Sequence, residues 1–292
     1  MTRLRYLFDS VTRSRDPARH CCPNCGEPRS ILIERKFLVT ALRRCGSCQL
    51  MYRTPTDGVA ESSRFYNNNY REGFTTESPP LAALDAMIEN GFSGQQNNYP
   101  YYISVLRALS NHKEHALFDF GCSWGYGSYQ FSKGGFDVLS YEISKPRAVY
   151  AERHLDVKIV PSFAQWVDEN PQTVDIFFSA HVLEHVPSPS DIINTARKLI
   201  RPGGLFVGFF PNGSAAFRAR EPAWSKLWGK VHPNFLDDVY LNRAVSDRPR
   251  IFGCSPVEIT DDIAGWLRDS ERPAAYYLDP LDRMEMFFAF RV

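Results

Sequence analysis

The sequence predicts an α/β fold, a parallel nucleotide-binding sheet preceded by a small metal-knuckle module. Three observations carry it. The stretch ALFDFGCSWGYGSYQ, Ala116 to Gln130, leads an apolar strand into an acid, Asp119, and then into a glycine-dense turn that opens a helix. Such a turn lets backbone approach a ligand, and the N–H groups at the helix start can hold an anion. Downstream, continuous apolar runs of the kind that form buried parallel strands alternate with helical patterns. Near the N-terminus stand two C-x-x-C pairs spaced C-x2-C-x19-C-x2-C.

Length and composition set the bounds. A chain of 292 residues has room for one sizeable α/β domain and a small accessory one. Its net charge of +1 gives no global field to gather nucleic acid or an acidic membrane. No apolar run reaches the roughly 18 residues of a membrane helix, so no membrane partner is expected. MTRLRYLFDS lacks the apolar core of a secretory signal, which places the chain in the cytoplasm.

Taken in order, residues 1–20 are arginine-rich and read as a short helix or arm. Seven cysteines are an awkward disulfide set, but Cys22, Cys25, Cys45 and Cys48 form two knuckles that aim four thiolates at one point. That set is closed, so the zinc it implies is structural; His20 and Cys21 stand beside the first ligand as alternatives to Cys22. A redox-active C-x-x-C is the competing reading, weakened by the presence of two pairs. β-like runs between the knuckles suit a zinc ribbon. From Met51 to Asn98 the chain reads as a connector with one helix, Pro80 to Asn90. Expected boundaries are 1–56 for arm and ribbon, 57–97 for the connector and 98–292 for the α/β domain.

Helical periodicity over Asn97 to Ser110 leads into strand one. Strand two ends at Glu142, some twenty residues past the glycine turn, where a carboxylate can accept from ribose hydroxyls. Val157 to Val160 reads as strand three and Val174 to Ser179 as strand four, which runs into AHVLEHV. Lys198 to Gly204 closes a helix and opens a fifth strand, Leu205 to Phe210. Arg250 to Gly253 suits a sixth and Met284 to Val292 a terminal strand. Trp224, Leu227, Trp228 and Val231 suit one helical face.

The turn has the pattern D-x-G-x-x-x-G rather than the G-x-G-x-x-G of dinucleotide folds. With the strand-four and RPGG segments, it resembles the class I S-adenosylmethionine-dependent methyltransferases. Their middle glycine is Ser123 here, which fits if its φ is negative. The resemblance implies a Rossmann-like seven-stranded sheet whose last strand is antiparallel. It also implies that Gly121, Cys122, Ser123 and Gly125 line the methionine part of the cofactor, that Asp119 orients its ammonium and that Glu142 holds the ribose. Ser162 and Phe163 fall at the adenine position, with Ser162 equally well explained as a helix cap. Ala180 and His181 fall beside the sulfonium.

The two opening parts are also similar to zinc-ribbon sugar C-methyltransferases, although the chain is too short for their extra C-terminal domain. That similarity makes His181, Glu184 and His185 candidate catalytic residues, with His232 a further pocket candidate and Tyr66 and Tyr70 as lid residues. The expected function is methyl transfer to a small-molecule acceptor, a sugar, saccharide or related metabolite. An RNA-base methyltransferase is the alternative, disfavoured by the near-neutral charge; a non-catalytic binding module is a third.

Overall fold

A computed structural model describes residues 3–58, 61, 77–110, 115–270 and 272–292. Tyr66 and Tyr70 lie outside the described residues. Helix α1 (Arg3–Ser14) leads to the ribbon strands β1 (Ser30–Lys36), β2 (Thr40–Cys45) and β3 (Met51–Thr54). Helices α2 (Leu81–Glu89) and α3 (Pro100–Ser110) precede β4 (Ala116–Phe120), α4 (Tyr126–Lys133), β5 (Asp137–Tyr141), α5 (Lys145–Leu155) and α6 (Phe163–Glu169). Then come β6 (Val174–Ala180), α7 (Pro189–Leu199), β7 (Ile200–Pro211), α8 (Ala215–Arg220), β8 (Asn234–Phe235) and α9 (Asp238–Ala244). The chain closes with β9 (Arg250–Cys254), α10 (Asp261–Asp269), β10 (Ala275–Tyr277) and β11 (Glu285–Arg291).

The main sheet has seven strands in the order β10-β9-β11-β7-β6-β4-β5. Strands β4, β5, β6 and β7 pair in parallel, and β11 runs antiparallel to both β7 and β9. This is the Rossmann-like seven-stranded arrangement the sequence predicts, with one difference in its membership. The expected third strand, Val157 to Val160, makes a single bridge between Ile159 and Ser140, and β10 supplies the seventh strand at the opposite edge.

Strand side chains alternate between the two faces, and the aromatic pairs show it. Phe177 and Phe206 pack under α6, α7 and α9 with Phe163, Ile193 and Leu241, while Phe178 and Val207 pack against α3, α4 and α10 with Leu106, Phe131 and Leu267. Helices on both faces explain why the strands read as continuous apolar runs. The segment Arg201 to Gly204 belongs to β7 rather than to a helix end: α7 stops at Leu199 and the strand begins at once, Gly203 taking a φ of +80°.

The ribbon is joined to this sheet rather than tethered beside it. Met51 to Thr54 forms the ribbon's third strand, and β8 adds a fourth through Met51↔Phe235 and Tyr52↔Asn234. Cys22, Cys45, Leu50 and Tyr52 belong to the same buried cluster as Phe118 and Phe210. Asn24 accepts from the Ser190 N–H at 2.9 Å at the start of α7, and Arg44 pairs with the buried Asp237 at 2.5 Å. Trp224 to Leu227 is one 3-10 turn instead of a longer helix, because Trp224, Leu227 and Trp228 pack onto Leu42, Met51 and Phe235 of the ribbon sheet.

Candidate functional site

The glycine turn sits at the carboxyl edge of β4, between β5 and β6. Chain connections leave β4 in opposite directions there, the switch point at which open α/β sheets bind ligands. The Gly121 N–H donates to the Tyr141 carbonyl at 2.8 Å, holding the turn against the end of β5. Gly121 has φ +87°, and a Cβ there would lie 2.3 Å from Val182 Cγ2, so glycine is required on both counts. Gly125 has the same φ and packs against Ala151 of α5.

Ser123 departs from expectation. Its φ is +54°, not negative, so it keeps the left-handed conformation of the glycine it replaces. That conformation costs an L-residue about 1–2 kcal/mol. The Ser123 N–H donates to Glu142 Oε2 at 2.9 Å, a charge-assisted bond that offsets the cost. Ser123→Gly is accordingly expected to leave cofactor affinity unchanged and to alter stability by no more than about 1 kcal/mol, read by denaturant unfolding.

The two acids stand on neighbouring strands and face one loop. Glu142 takes the Ser123 N–H on one oxygen and the Ser144 N–H on the other at 2.7 Å, and burial raises its pKa. Asp119 is 4% exposed and accepts from Ser128 Oγ at 2.6 Å. Desolvation pushes its pKa up to about 7, with Glu142 adding to the rise and Ser128 opposing it. A folded carboxyl titrating above its unfolded value of roughly 3.9 removes stability as pH rises. That loss runs from about pH 4 to about pH 7 and is complete above the window. Asp119→Asn is therefore expected to unfold at higher denaturant than the parent at pH 8, by up to about 4 kcal/mol, with little difference near pH 4.

At the end of β6 a tight turn, not a helix, gathers the next set; α7 starts only at Pro189. Ala180 ends the strand half-buried, and His181 follows at φ +55° with its N–H on the Phe209 carbonyl. The His181 Nε2 is 2.6 Å from Glu285 Oε1, and its Nδ1 is 3.7 Å from Glu184 Oε1. Burial alone would lower the His181 pKa, but these two carboxylates outweigh it and raise the value to about 10. Half of the side chain is exposed, so solvent screens part of the attraction while its sign stands. His185 lies the other way: desolvation lowers it to about 4, and its Nδ1–H donates to the Val231 carbonyl at 2.7 Å. The Glu184 side chain is 1% exposed, and its desolvation is outweighed by His185 and His181, which hold it at about 2.

Sequence reading missed Glu285 and Tyr102, whose hydroxyl donates to Glu285 Oε1 at 3.1 Å. The available signal was an acid opening the otherwise apolar MFFAF strand. Ser162 and Phe163 have structural duties: the serine caps α6 by accepting from Gln165 N at 3.5 Å, and the phenylalanine ring packs 4.7 Å from Phe120. Cys122 is buried in the turn. Beside the turn, a cavity of about 250 Å³ is lined by Glu77, Met87, Gln96, Asn97 and Trp124. Gln130 positions this wall, donating to the Asn97 carbonyl and accepting from Tyr99 N.

The four predicted cysteines meet. Cys22 and Cys48 sulfurs are 3.6 Å apart, Cys25 and Cys45 sulfurs 3.5 Å, and all four lie within 4.8 Å of one another. Sulfurs about 2.3 Å from a tetrahedral zinc stand about 3.8 Å apart, so the set fits that ion. Cys21 and His20 are turned elsewhere, toward Pro17 O and Ser14 O.

Sheet order, the positive-φ glycine turn and the paired acids belong to a seven-stranded Rossmann-like fold of the kind found in methyltransferases. Residues 118–208 match the family model described as "Methyltransferase domain". Over 94 residues the chain is 33% identical to a ubiquinone biosynthesis O-methyltransferase of Aliivibrio fischeri, covering 30% of this chain and 40% of that protein. A protein of the same description from Caulobacter vibrioides is 34% identical over 95 residues, 30% of this chain and 38% of its own length. The chain thus spans about two-fifths of the length of the curated relatives it matches. In fold it is similar to the solved plantazolicin methyltransferase BpumL in complex with SAH, with TM-score 0.50 and 11% identity over 79% of this chain and 93% of that one. No helix among the described residues is long and apolar enough to cross a membrane.

Proposed function

We propose that this chain transfers a methyl group from S-adenosylmethionine to a small-molecule acceptor, a sugar, saccharide or related metabolite. The observation that supports it most is the Ser123–Glu142 bond: it ties the glycine turn to the acid on the neighbouring strand, around a single cleft at the switch point. The cofactor supplies the methyl on a positively charged sulfur and the leaving group with it. The protein's part is orientation. Gly121, Cys122, Ser123 and Gly125 hold the methionine part, Asp119 its ammonium and Glu142 the ribose, with Ser162 and Phe163 on the adenine side and Ala180 and His181 beside the sulfur.

On the acceptor side, His181 is held cationic and donates rather than accepts. The unprotonated Nε2 of His185 and the Glu184 carboxylate are the groups able to take a proton from an acceptor. A zinc ion at Cys22, Cys25, Cys45 and Cys48 fixes the ribbon, which carries β8 and so positions the Glu184 turn through the Asn234 N–H bond to the Glu184 carbonyl. On this reading the chain divides into arm and ribbon, 1–56, connector, 57–97, and methyltransferase domain, 98–292.

The test is transfer of label from methyl-labelled S-adenosylmethionine into fractionated cell extract. The proposal expects label in the small-molecule fraction that disappears with Glu142→Ala. Label confined to RNA assigns the chain to nucleic acid instead.

A further inference from the structure

Glu184, His185 and His232 form a second cluster whose chemistry goes beyond orienting an acceptor. Neither Glu184 oxygen has a hydrogen-bond partner among the described residues, although the side chain is buried. Two imidazole nitrogens stand beyond hydrogen-bond range of it, His181 Nδ1 at 3.7 Å and His185 Nε2 at 3.8 Å. A buried carboxylate left in that state is expensive, and the usual remedies are hydrogen bonds, a paired charge or a metal ion. His181 is shared between two carboxylates and stands closer to Glu285, at 2.6 Å.

The two remaining imidazoles are both fixed in the same way. His185 Nδ1 is 2.7 Å from the Val231 carbonyl, and His232 Nδ1 is 2.8 Å from the Leu227 carbonyl. A carbonyl only accepts, so each Nδ1 carries a hydrogen, and Nε2 is the nitrogen that can ligate. That is the arrangement in which metal-ligating histidines are held: one nitrogen donates to a backbone carbonyl and the other binds the ion. The two rings stand 4.8 Å apart, and ligand atoms of all three residues lie within 4.8 Å of one another. Ligands about 2.1 Å from an ion are about 3–4 Å apart, a contraction that side-chain adjustment supplies.

From this geometry we infer a metal site, Glu184–His185–His232, that takes one divalent transition ion. Two imidazoles and one carboxylate are borderline donors suited to zinc and its first-row neighbours, not to a hard ion that wants oxygen alone. Three protein ligands leave coordination positions open, unlike the four-thiolate set. If the function proposed above holds, an acceptor oxygen can occupy one of them and lose its proton more easily. That role rests on the methyl-transfer reading; ion binding does not.

The experiment measures zinc content per chain of the full-length protein after equilibration with excess Zn2+ and removal of free ion, comparing the parent with Glu184→Gln and His232→Ala. The expected result is one equivalent fewer in each variant than in the parent, with cooperative thermal unfolding retained. Cobalt(II) gives a second readout on the unaltered protein: a chain loaded with two equivalents shows one ion with thiolate charge-transfer bands and one without. Equal zinc content in parent and variants, or a parent whose only cobalt spectrum is that of a thiolate site, overturns the proposal. Either outcome is independent of S-adenosylmethionine binding, so it separates this site from the function.

Discussion

Glu142→Ala is expected to weaken S-adenosylmethionine binding by about 100-fold or more. Each charge-assisted bond from a ribose hydroxyl is worth about 1.5–3 kcal/mol, and two of them exceed a factor of 100. The variant also removes the Glu142 acceptor of the Ser123 N–H, one of the bonds that hold this left-handed residue. The turn then has less reason to keep its shape, so the effect exceeds the loss of the ligand contacts alone. Titration calorimetry on the folded variant measures it, and an affinity within threefold of the parent contradicts the assignment of this carboxylate. Asp119→Asn provides contrast: it also loses affinity, through the ammonium contact, while gaining stability at pH 8 because its buried charge is gone.

Cys45→Ser, or treatment with a strong chelator, is expected to unfold the ribbon and disturb the far side of the cleft if zinc occupies the proposed site. A structural zinc site supplies about 10–16 kcal/mol of apparent binding free energy that is folding free energy for its module. Cys45 is fully buried beside Leu50 and Tyr52, and the ribbon's edge strand pairs with β8. Asn234 of β8 donates from its backbone to the Glu184 carbonyl and from its side chain to the Val186 carbonyl at 2.5 Å. Loss of the ribbon therefore frees the turn that carries Glu184 and His185. Hydrogen exchange should show protection lost in 30–54 and reduced in 182–186 and 231–236, while β4 and β5 stay protected. Unchanged exchange at 182–186 contradicts the mechanical link between ribbon and site.

Much of this was legible because the signals are local. A strand that ends in an acid and a glycine turn announces itself within fifteen residues, and two knuckles at fixed spacing announce a tetrahedral site. Boundaries set by long-range pairing were less so. Val157 to Val160 is apolar enough for a strand, but it meets the edge strand β5 at Ser140 alone, in a single bridge. Nothing local in Met51 to Thr54 announces its partner β8, which pairs with it from some 180 residues later. Trp224 and Trp228 have helical spacing, yet their place is decided by the ribbon surface they cover. The site shows the same division. Asp119, Glu142 and the glycines follow from sequence, whereas Glu285 reaches His181 across the antiparallel return of β11, a contact no short-range pattern encodes. Ser123 is the instructive case between them: a serine's usual preference suggests negative φ, yet here it is positive, with its N–H bonded to Glu142.

The most direct measurement of the central claim is calorimetric titration of the intact chain with the demethylated cofactor, S-adenosylhomocysteine. Saturable one-to-one binding that Glu142→Ala and Asp119→Asn each weaken is the predicted result. Absence of binding by a folded parent protein, or equal affinity in all three, contradicts it.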